Sequence, residues 1–352
     1  MAARKKIIRC AVVGASGYAG LETLRILSTH PSARVVFASS NKNAGKPVRE
    51  VFPHLEEISP GLCYSRHEDA ASFKDCEAFI LALPHGKSYD LIQALLERGK
   101  VVDISADFRL ADPDAYDRWY DYTHPDTALL EKAVYGLTEV YRKDIKKARL
   151  LANPGCYPTS VALALHPLAE AKQYVRGPII IDSKSGYSGA GRSLKPHLLF
   201  SEGFGEFLPY AVTGHRHTSE MIQEARRAFG WDVPVTFTPH LLPVSRGILS
   251  TIYIPLQGDA HLDRIRAMYD SFYEKDKFVR LVAPGEMPSV KKVIGTNLCL
   301  INVFMDEELN MLKIVSAIDN LVKGAAGQAV QNLNLMFGLP EDAGLETRPL
   351  TP

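Results

Sequence analysis

The sequence predicts an α/β protein: a Rossmann-like, doubly wound parallel sheet followed by an α+β region. Three observations carry that prediction. Short apolar runs, Ile7 to Val13, Val35 to Ala38, Ala78 to Leu83 and Val101 to Ile104, alternate with helical periodicity through roughly the first 150 residues. A glycine turn, "GASGYAG", joins the first run to the first helical segment. After Cys156 the texture becomes β-rich, as a mainly antiparallel sheet would require, in "GPIIIDSKSGYSGAGR", "VPVTFTPHLLPVSRGILSTIYIPL" and "TNLCLINVFMDEELNMLKIVSAID".

Taken in order, the first run is a strand, Leu21 to Ser28 a helix and Val35 to Ala38 a second strand, which completes one βαβ unit. The stretch "YDLIQALLERGK" is a helix between the next two strands and ends at Gly99. Residues 1–155 thus form a nucleotide domain and residues 156–319 a second domain, with helices near Thr218 to Phe229 and Leu262 to Tyr273. Residues 320–352 carry the last strong helix, within "NLVKGAAGQAVQNLNLMFG", which returns to the first domain.

Composition excludes several classes of partner. Lys and Arg total 41 against 40 Asp and Glu over 352 residues, so a formal charge of +1 gives no field for nucleic acid or a membrane surface. Attraction for an anionic ligand must be local. No apolar run approaches the roughly 18 residues of a membrane span. The basic head "MAARKK" reads as a short tail, because Arg9 interrupts the apolar run and a glycine turn follows it. Five scattered cysteines, Cys10, Cys63, Cys76, Cys156 and Cys299, form no Cys-x-x-Cys pair, which argues against a disulfide framework and for a reducing cytoplasm.

Gly14, Gly17 and Gly20 sit where missing side chains let backbone N–H groups approach a pyrophosphate at the positive end of a helix. An NAD site would carry a carboxylate about 20 residues on, for the ribose 2′-hydroxyl. Here the second strand runs into Ser39, Ser40, Asn41 and Lys42, whose hydroxyls and ammonium suit a 2′-phosphate and favour NADP.

Cys156 follows Asn153-Pro154-Gly155 and opens an apolar helix with Pro158 in its first turn. An ordinary thiol, with a pKa of about 8.5, is only a few per cent ionised at pH 7. Depressing it by two units requires about 2.7 kcal/mol, whereas a helix terminus supplies about 0.3–1 kcal/mol. A second group, most simply an imidazolium, is therefore required. The segment "GHRHTSEM" offers His215, Arg216 and His217, with Glu220 in the first turn of the following helix to orient an imidazole; His85 in "LALPHGKS" competes. His-x-His beside an acid can also bind metal, but no other ligand cluster accompanies it, so no metal is expected. Arg109, Arg192 and Arg216 lie in Gly/Ser-containing loops and are candidate holders of an anionic substrate, with Ser105 and Asp107 shaping the Arg109 loop. Cys10, Cys76 and Cys299 read as buried structural cysteines.

The motifs "GASGYAG", "LALPHG", "DISADFRL", "NPGCYPTS", "SGAGR", "GHRHTSE", "SRGIL" and "AIDNLVKGAAGQAVQN" run in order through nearly the whole chain. They resemble the N-acetyl-gamma-glutamyl-phosphate reductase family, NADP-dependent enzymes of arginine biosynthesis with the semialdehyde dehydrogenase fold. The resemblance implies NADPH-dependent reduction of an acyl phosphate to an aldehyde, with Cys156 as nucleophile, His217 as acid–base group and Glu220 beside it. It implies cofactor contacts at Gly14, Ser16, Gly17, Tyr18, Ala19, Ser39, Ser40, Lys42, Pro84, Ser105 and Asn320. Arg109, Ser185, Arg192, His215 and Arg216 would hold substrate. The second domain would build a homodimer or homotetramer. Related reductases of aminoadipyl or aspartyl phosphates replace the "NPGCYPTS" segment with other cysteine motifs. A Cys–His hydrolase would lack the glycine turn, and an NADP-sensing regulator would need no activated thiol.

Overall fold

The computed structural model describes residues 7–55 and 61–349. The chain forms two compact units. The described residues of Met1–Pro113, His124–Pro154 and Ala325–Glu346 make one, and those of Asp114–Thr123, Gly155–Gly324 and Thr347–Pro352 the other. Residues 114–123, Gly155, 320–324 and 347–349, which the sequence groups with the nucleotide domain, belong to the second unit. The basic head and residues 350–352 lie outside the described residues.

The first unit is built on seven strands: Ile8–Val13 (β1), Ala33–Ser39 (β2), Tyr64–Ser65 (β3), Ala78–Leu81 (β4), Lys100–Asp103 (β5), Val134–Tyr135 (β6) and Leu150–Ala152 (β7). Their order is β3-β2-β1-β4-β5-β7-β6, and every pairing is parallel. A sheet covered on both faces needs continuous apolar runs, and β4 meets that demand with Ala78, Phe79, Ile80 and Leu81 all fully buried. The strand order reverses between β1 and β4, which opens the crevice at their carboxyl ends where doubly wound sheets take ligands.

The second unit carries Ile179–Gly186 (β8), Leu208–Pro209 (β9), Val235–Leu242 (β10), Ile248–Pro255 (β11), Val279–Leu281 (β12), Cys299–Asp306 (β13) and Met311–Ile318 (β14). The order is β12-β13-β14-β11-β8-β10-β9; four of the pairings are antiparallel, while β8–β10 and β12–β13 are parallel. Alternation along β8 buries Ile179, Ile181, Ser183 and Ser185 and leaves Ile180 40% exposed, so one face is covered and the other open. The Cys156–Leu165 helix covers the inner face, and its residues 157–165 are all buried. Small hydroxyl residues let it approach: Ser160 Oγ lies 3.1 Å from Ser250 Oγ and 3.0 Å from Ser316 Oγ, and Ser183 Oγ lies 2.8 Å from Ser250 Oγ.

The last helical segment is not one helix. Val322–Ala326 is a π-helical turn and Gly327–Met336 an α-helix. Asp319 accounts for the widening, because its Oδ1 accepts the N–H groups of Leu321 and Val322 (2.8 and 3.2 Å) and its carbonyl accepts the Gly324 N–H at 2.9 Å. The α-helical part is seated in the first unit through Asn332, whose Nδ2 donates to Gly136 O (2.7 Å) and whose Oδ1 accepts from Thr138 Oγ1 (2.8 Å).

Candidate active site

In the first unit the glycine turn leaves β1 and enters the Tyr18–Ser28 helix. Gly14 has φ +82°, and a Cβ there would stand 2.4 Å from Ala82 O at the end of β4. A Cβ on Gly20 would stand 2.3 Å from Gly14 O, so this glycine lets helix and strand pack. Gly17 differs: its nearest contact would be 3.7 Å, and no positive φ requires glycine. Internal packing explains two of the three glycines and does not explain the third. The helix opens on Gly17 with no side-chain cap, so its first N–H groups are available to an anion.

The rest of the expected cofactor set has mixed surroundings. Ser39 is fully buried; its Oγ accepts from Gly14 N at 3.3 Å and stands 2.8 Å from His67 Nδ1. Ser40 Oγ lies 2.7 Å from Ser16 Oγ, while Lys42 and Pro84 are exposed. Tyr18 and Ala19 open the helix. Ser105 is buried and donates twice to Asp103, through N to Oδ1 (3.0 Å) and through Oγ to Oδ2 (2.6 Å). Asp107 accepts the Gly86 and Ser88 N–H groups at 2.6 and 3.0 Å, which fixes the loop carrying His85. Burial, and then the neighbouring Asp107 carboxylate, push Asp103 up to about 7. Arg109 is buried and donates to Asn153 O (2.8 Å) and Ile104 O (2.7 Å), which ties the ends of β5 and β7 together.

In the second unit Cys156 is the first residue of its helix, is partly exposed, and follows Gly155 as cap. The Gly155 N–H donates to Glu220 Oε2 at 3.0 Å. Glu220 is fully buried in the first turn of the His217–Phe229 helix, and its Oε1 lies 4.0 Å from His217 Nε2. One carboxylate therefore fixes the cap before the thiol and faces the imidazole. The π-turn closes in from another side: a Cβ on Gly324 would stand 2.8 Å from Cys156 Cβ.

The two histidines of "GHRH" have different states. His215 Nδ1 accepts the His217 N–H at 3.2 Å, so its proton resides on Nε2; burial, and then the Arg216 guanidinium, push it down to about 4. His215 is thus a neutral donor. Tyr157 meets both rings edge-on, at 5.6 Å to His215 and 6.0 Å to His217. The Tyr210 hydroxyl donates to Tyr157 at 3.1 Å, and burial pushes both phenols far above their usual range.

Ser185 is buried and donates to Gly186 O at 3.0 Å. Asn320 is buried with both amide ends engaged, accepting from Gly247 N (2.7 Å) and donating to Ser188 Oγ (2.9 Å). Arg192 and Arg216 are exposed, and Arg216 stacks over Tyr120 at 5.4 Å. Sequence reasoning missed Arg246, half-exposed and 3.6 Å from Asp319 Oδ2, although "SRGIL" has the same Gly/Ser setting as the arginines it selected. Tyr157, Tyr210 and the buried Lys323 of the π-turn were also missed, since only folding brings Tyr210 to a partner 53 residues away.

A Rossmann-type sheet with a glycine turn after its first strand, and a mixed-sheet unit with a thiol at a helix start, place the chain in the semialdehyde dehydrogenase class. Residues 9–148 match the family model "Semialdehyde dehydrogenase, NAD binding domain", and residues 156–320 match "Semialdehyde dehydrogenase, dimerisation domain". Within that class the chain belongs to the N-acetyl-gamma-glutamyl-phosphate reductase family. It is 46% identical to the enzyme so named from Alkaliphilus metalliredigens over 98% of this chain and 100% of the relative. It is 44% identical to "Probable N-acetyl-gamma-glutamyl-phosphate reductase, chloroplastic" from rice, over 98% of this chain and 83% of that one. Two solved folds are similar at low identity. Aspartate semialdehyde dehydrogenase II of Vibrio cholerae has TM-score 0.70 and 19% identity, covering 95% of this chain and 99% of that one. The Candida albicans enzyme solved with NADP has TM-score 0.70 and 13% identity, covering 94% and 99%.

Proposed function

We propose that the chain catalyses NADPH-dependent reduction of N-acetyl-gamma-glutamyl phosphate to N-acetylglutamate 5-semialdehyde and phosphate, a step of arginine biosynthesis. The observation that carries this reading is identity of 46% with a relative of that name along its entire length. The local chemistry agrees with it. Cys156 thiolate attacks the acyl carbon, the carbon–oxygen bond to phosphate breaks, and a thioester remains on Sγ. Bound NADPH supplies hydride to that carbonyl carbon. His217 holds a proton at the oxygen while the tetrahedral species forms and takes it back as the C–S bond breaks, releasing the aldehyde and restoring the thiolate. Glu220 keeps the imidazole oriented, and neutral His215 donates its Nε2–H to a substrate oxygen. Gly14, Ser16, Gly17, Tyr18 and Ala19 would hold the pyrophosphate, and Ser40 and Lys42 the 2′-phosphate. Arg192, Arg216 and Arg246 are the cations for the substrate's anionic groups.

The open face of the second unit's sheet, carrying Ile180 and Tyr253, is the surface for self-association into a dimer or tetramer; the family model for that region is named for dimerisation. Among the described residues no helix is long and apolar enough to cross a membrane. Free cysteines suit a reducing compartment such as the cytoplasm.

NADPH oxidation assayed with acetylglutamyl, aspartyl and aminoadipyl phosphates side by side tests the assignment. The acetylglutamyl substrate should show the highest kcat/KM; preference for either of the others would overturn it. Cys156→Ala should lower turnover by about three orders of magnitude or more with NADPH affinity retained. Full turnover in that variant would remove the covalent mechanism.

A further inference from the structure

The end of β2 is the place where a dinucleotide's ribose is read. There the fold assembles a group that no spacing in the sequence indicates. Strand β3 pairs with the end of β2, Ser39 opposite Ser65, and the chain beyond it brings His67 back beside the serines. The His67 N–H donates to Asn41 Oδ1 at 2.9 Å, and the Ser40 N–H donates to Ser65 O at 3.0 Å. His67 is thereby fixed against the β2 terminus by its backbone.

Hydrogen-bond accounting then fixes its ring. Ser39 Oγ is fully buried and accepts the Gly14 N–H at 3.3 Å, so its own hydrogen needs an acceptor. Among the described residues the one acceptor within reach is His67 Nδ1, at 2.8 Å. The hydroxyl donates to Nδ1, and the imidazole proton must reside on Nε2. Burial also holds His67 below the usual histidine range, which keeps the ring neutral. No described group takes the Nε2–H. Arg66, the adjacent cation, is exposed and has its Nε on Glu68 Oε1 at 2.6 Å. Lys42 is exposed, and Ser40 Oγ is oriented by Ser16 Oγ (2.7 Å) and by Asn43 Nδ2 (3.1 Å).

We infer that His67 is a specificity-determining residue, a neutral Nε2–H donor to the 2′-phosphate of NADPH, locked in that tautomer by Ser39 and through it by the phosphate-binding turn at Gly14. This rests on the NADPH reading above. A 2′-phosphate is an acceptor of several hydrogen bonds, so a ring with a fixed proton at the strand end suits it, and β2 itself ends on Ser39, with Ser40 next, rather than on a carboxylate, while the nearby Glu68 carboxylate is held by Arg66. Because the lock passes through Gly14, the same hydrogen-bond chain links the pyrophosphate turn to the 2′-phosphate seat.

The experiment is isothermal titration of the full chain with NADPH, NADH and 2′,5′-ADP, for wild type, His67→Asn and His67→Gln. Asparagine can still accept from Ser39 but cannot reach the Nε2 position; glutamine can place its amide there. His67→Asn should raise Kd for NADPH and 2′,5′-ADP about tenfold and leave NADH unchanged, and His67→Gln should restore most of the loss. Equal weakening of NADPH and NADH would mean a structural role, and unchanged NADPH affinity would mean no contact; either overturns the assignment. If wild type bound NADH as tightly as NADPH and ignored 2′,5′-ADP, the NADPH reading itself would fall, a result separate from either variant.

Discussion

Two helix starts in this protein look alike in sequence and differ in what they do. The Tyr18–Ser28 helix and the Cys156–Leu165 helix both begin on a glycine cap, and neither cap carries a side-chain hydrogen bond. At Gly17 the terminus stays open, with nothing nearer than 3.7 Å to a hypothetical Cβ. At Gly155 the chain supplies its own anion, because Glu220 accepts the cap N–H, and Pro158 removes one of the N–H groups that the first turn would offer. The first terminus keeps its leading N–H groups without a side-chain cap. The second has its cap N–H already taken by a side chain of its own unit.

The sharpest way to break this comparison is at Glu220. Glu220→Gln keeps an acceptor for the Gly155 N–H but removes the charge facing His217, so kcat should fall about 10–100-fold with NADPH affinity unchanged. An unchanged kcat and pH profile would mean that the carboxylate serves only as a cap. At the open terminus the contrast lies between two glycines. Gly20→Ala forces a Cβ to 2.3 Å from Gly14 O and should destabilise the protein by about 1–3 kcal/mol in denaturant titration. Gly17→Ala should cost well under that in stability and instead raise Kd for NADPH about tenfold. If Gly17→Ala lost stability and kept its affinity, the open terminus would not be a ligand site.

A smaller effect sits under the same sheet. The Asp103 carboxyl, raised to about 7, holds its proton more tightly in the folded than in the unfolded chain. Its stabilising contribution is complete below the ordinary carboxyl value of 3.8 and is lost as pH rises through about 7. The melting temperature of Asp103→Asn relative to wild type should therefore increase, by roughly 2–4 °C, between about pH 5 and pH 8. A difference that stays constant with pH would mean that Asp103 is ionised throughout.

The local structure of the candidate site was legible where a few neighbouring residues set it. A glycine turn between an apolar strand and a helix, and a thiol after Pro-Gly, are readable from a few residues each. The elements differed at their edges: Leu21 to Ser28 became Tyr18–Ser28, and the single C-terminal helix became a π-turn and an α-helix. Asp319 explains the latter, since its carboxylate draws in the N–H groups of Leu321 and Val322 and the turn accommodates Cys156 at Gly324. Side-chain roles were less legible. Arg109 reads as a loop cation and is an internal brace; Asn320 reads as a cofactor contact and clamps two loops of its own unit.

The sequence by itself determined the fold class, the family and the place of the thiol at a helix start, because periodicity, glycine placement and contiguous motifs are properties of neighbouring residues. Only the tertiary structure decided which groups ionise, which donors are free and which tautomers hold. Those depend on burial and on hydrogen-bond partners far apart in the chain: Glu220 at Gly155, Tyr210 at Tyr157, and His67 at Ser39.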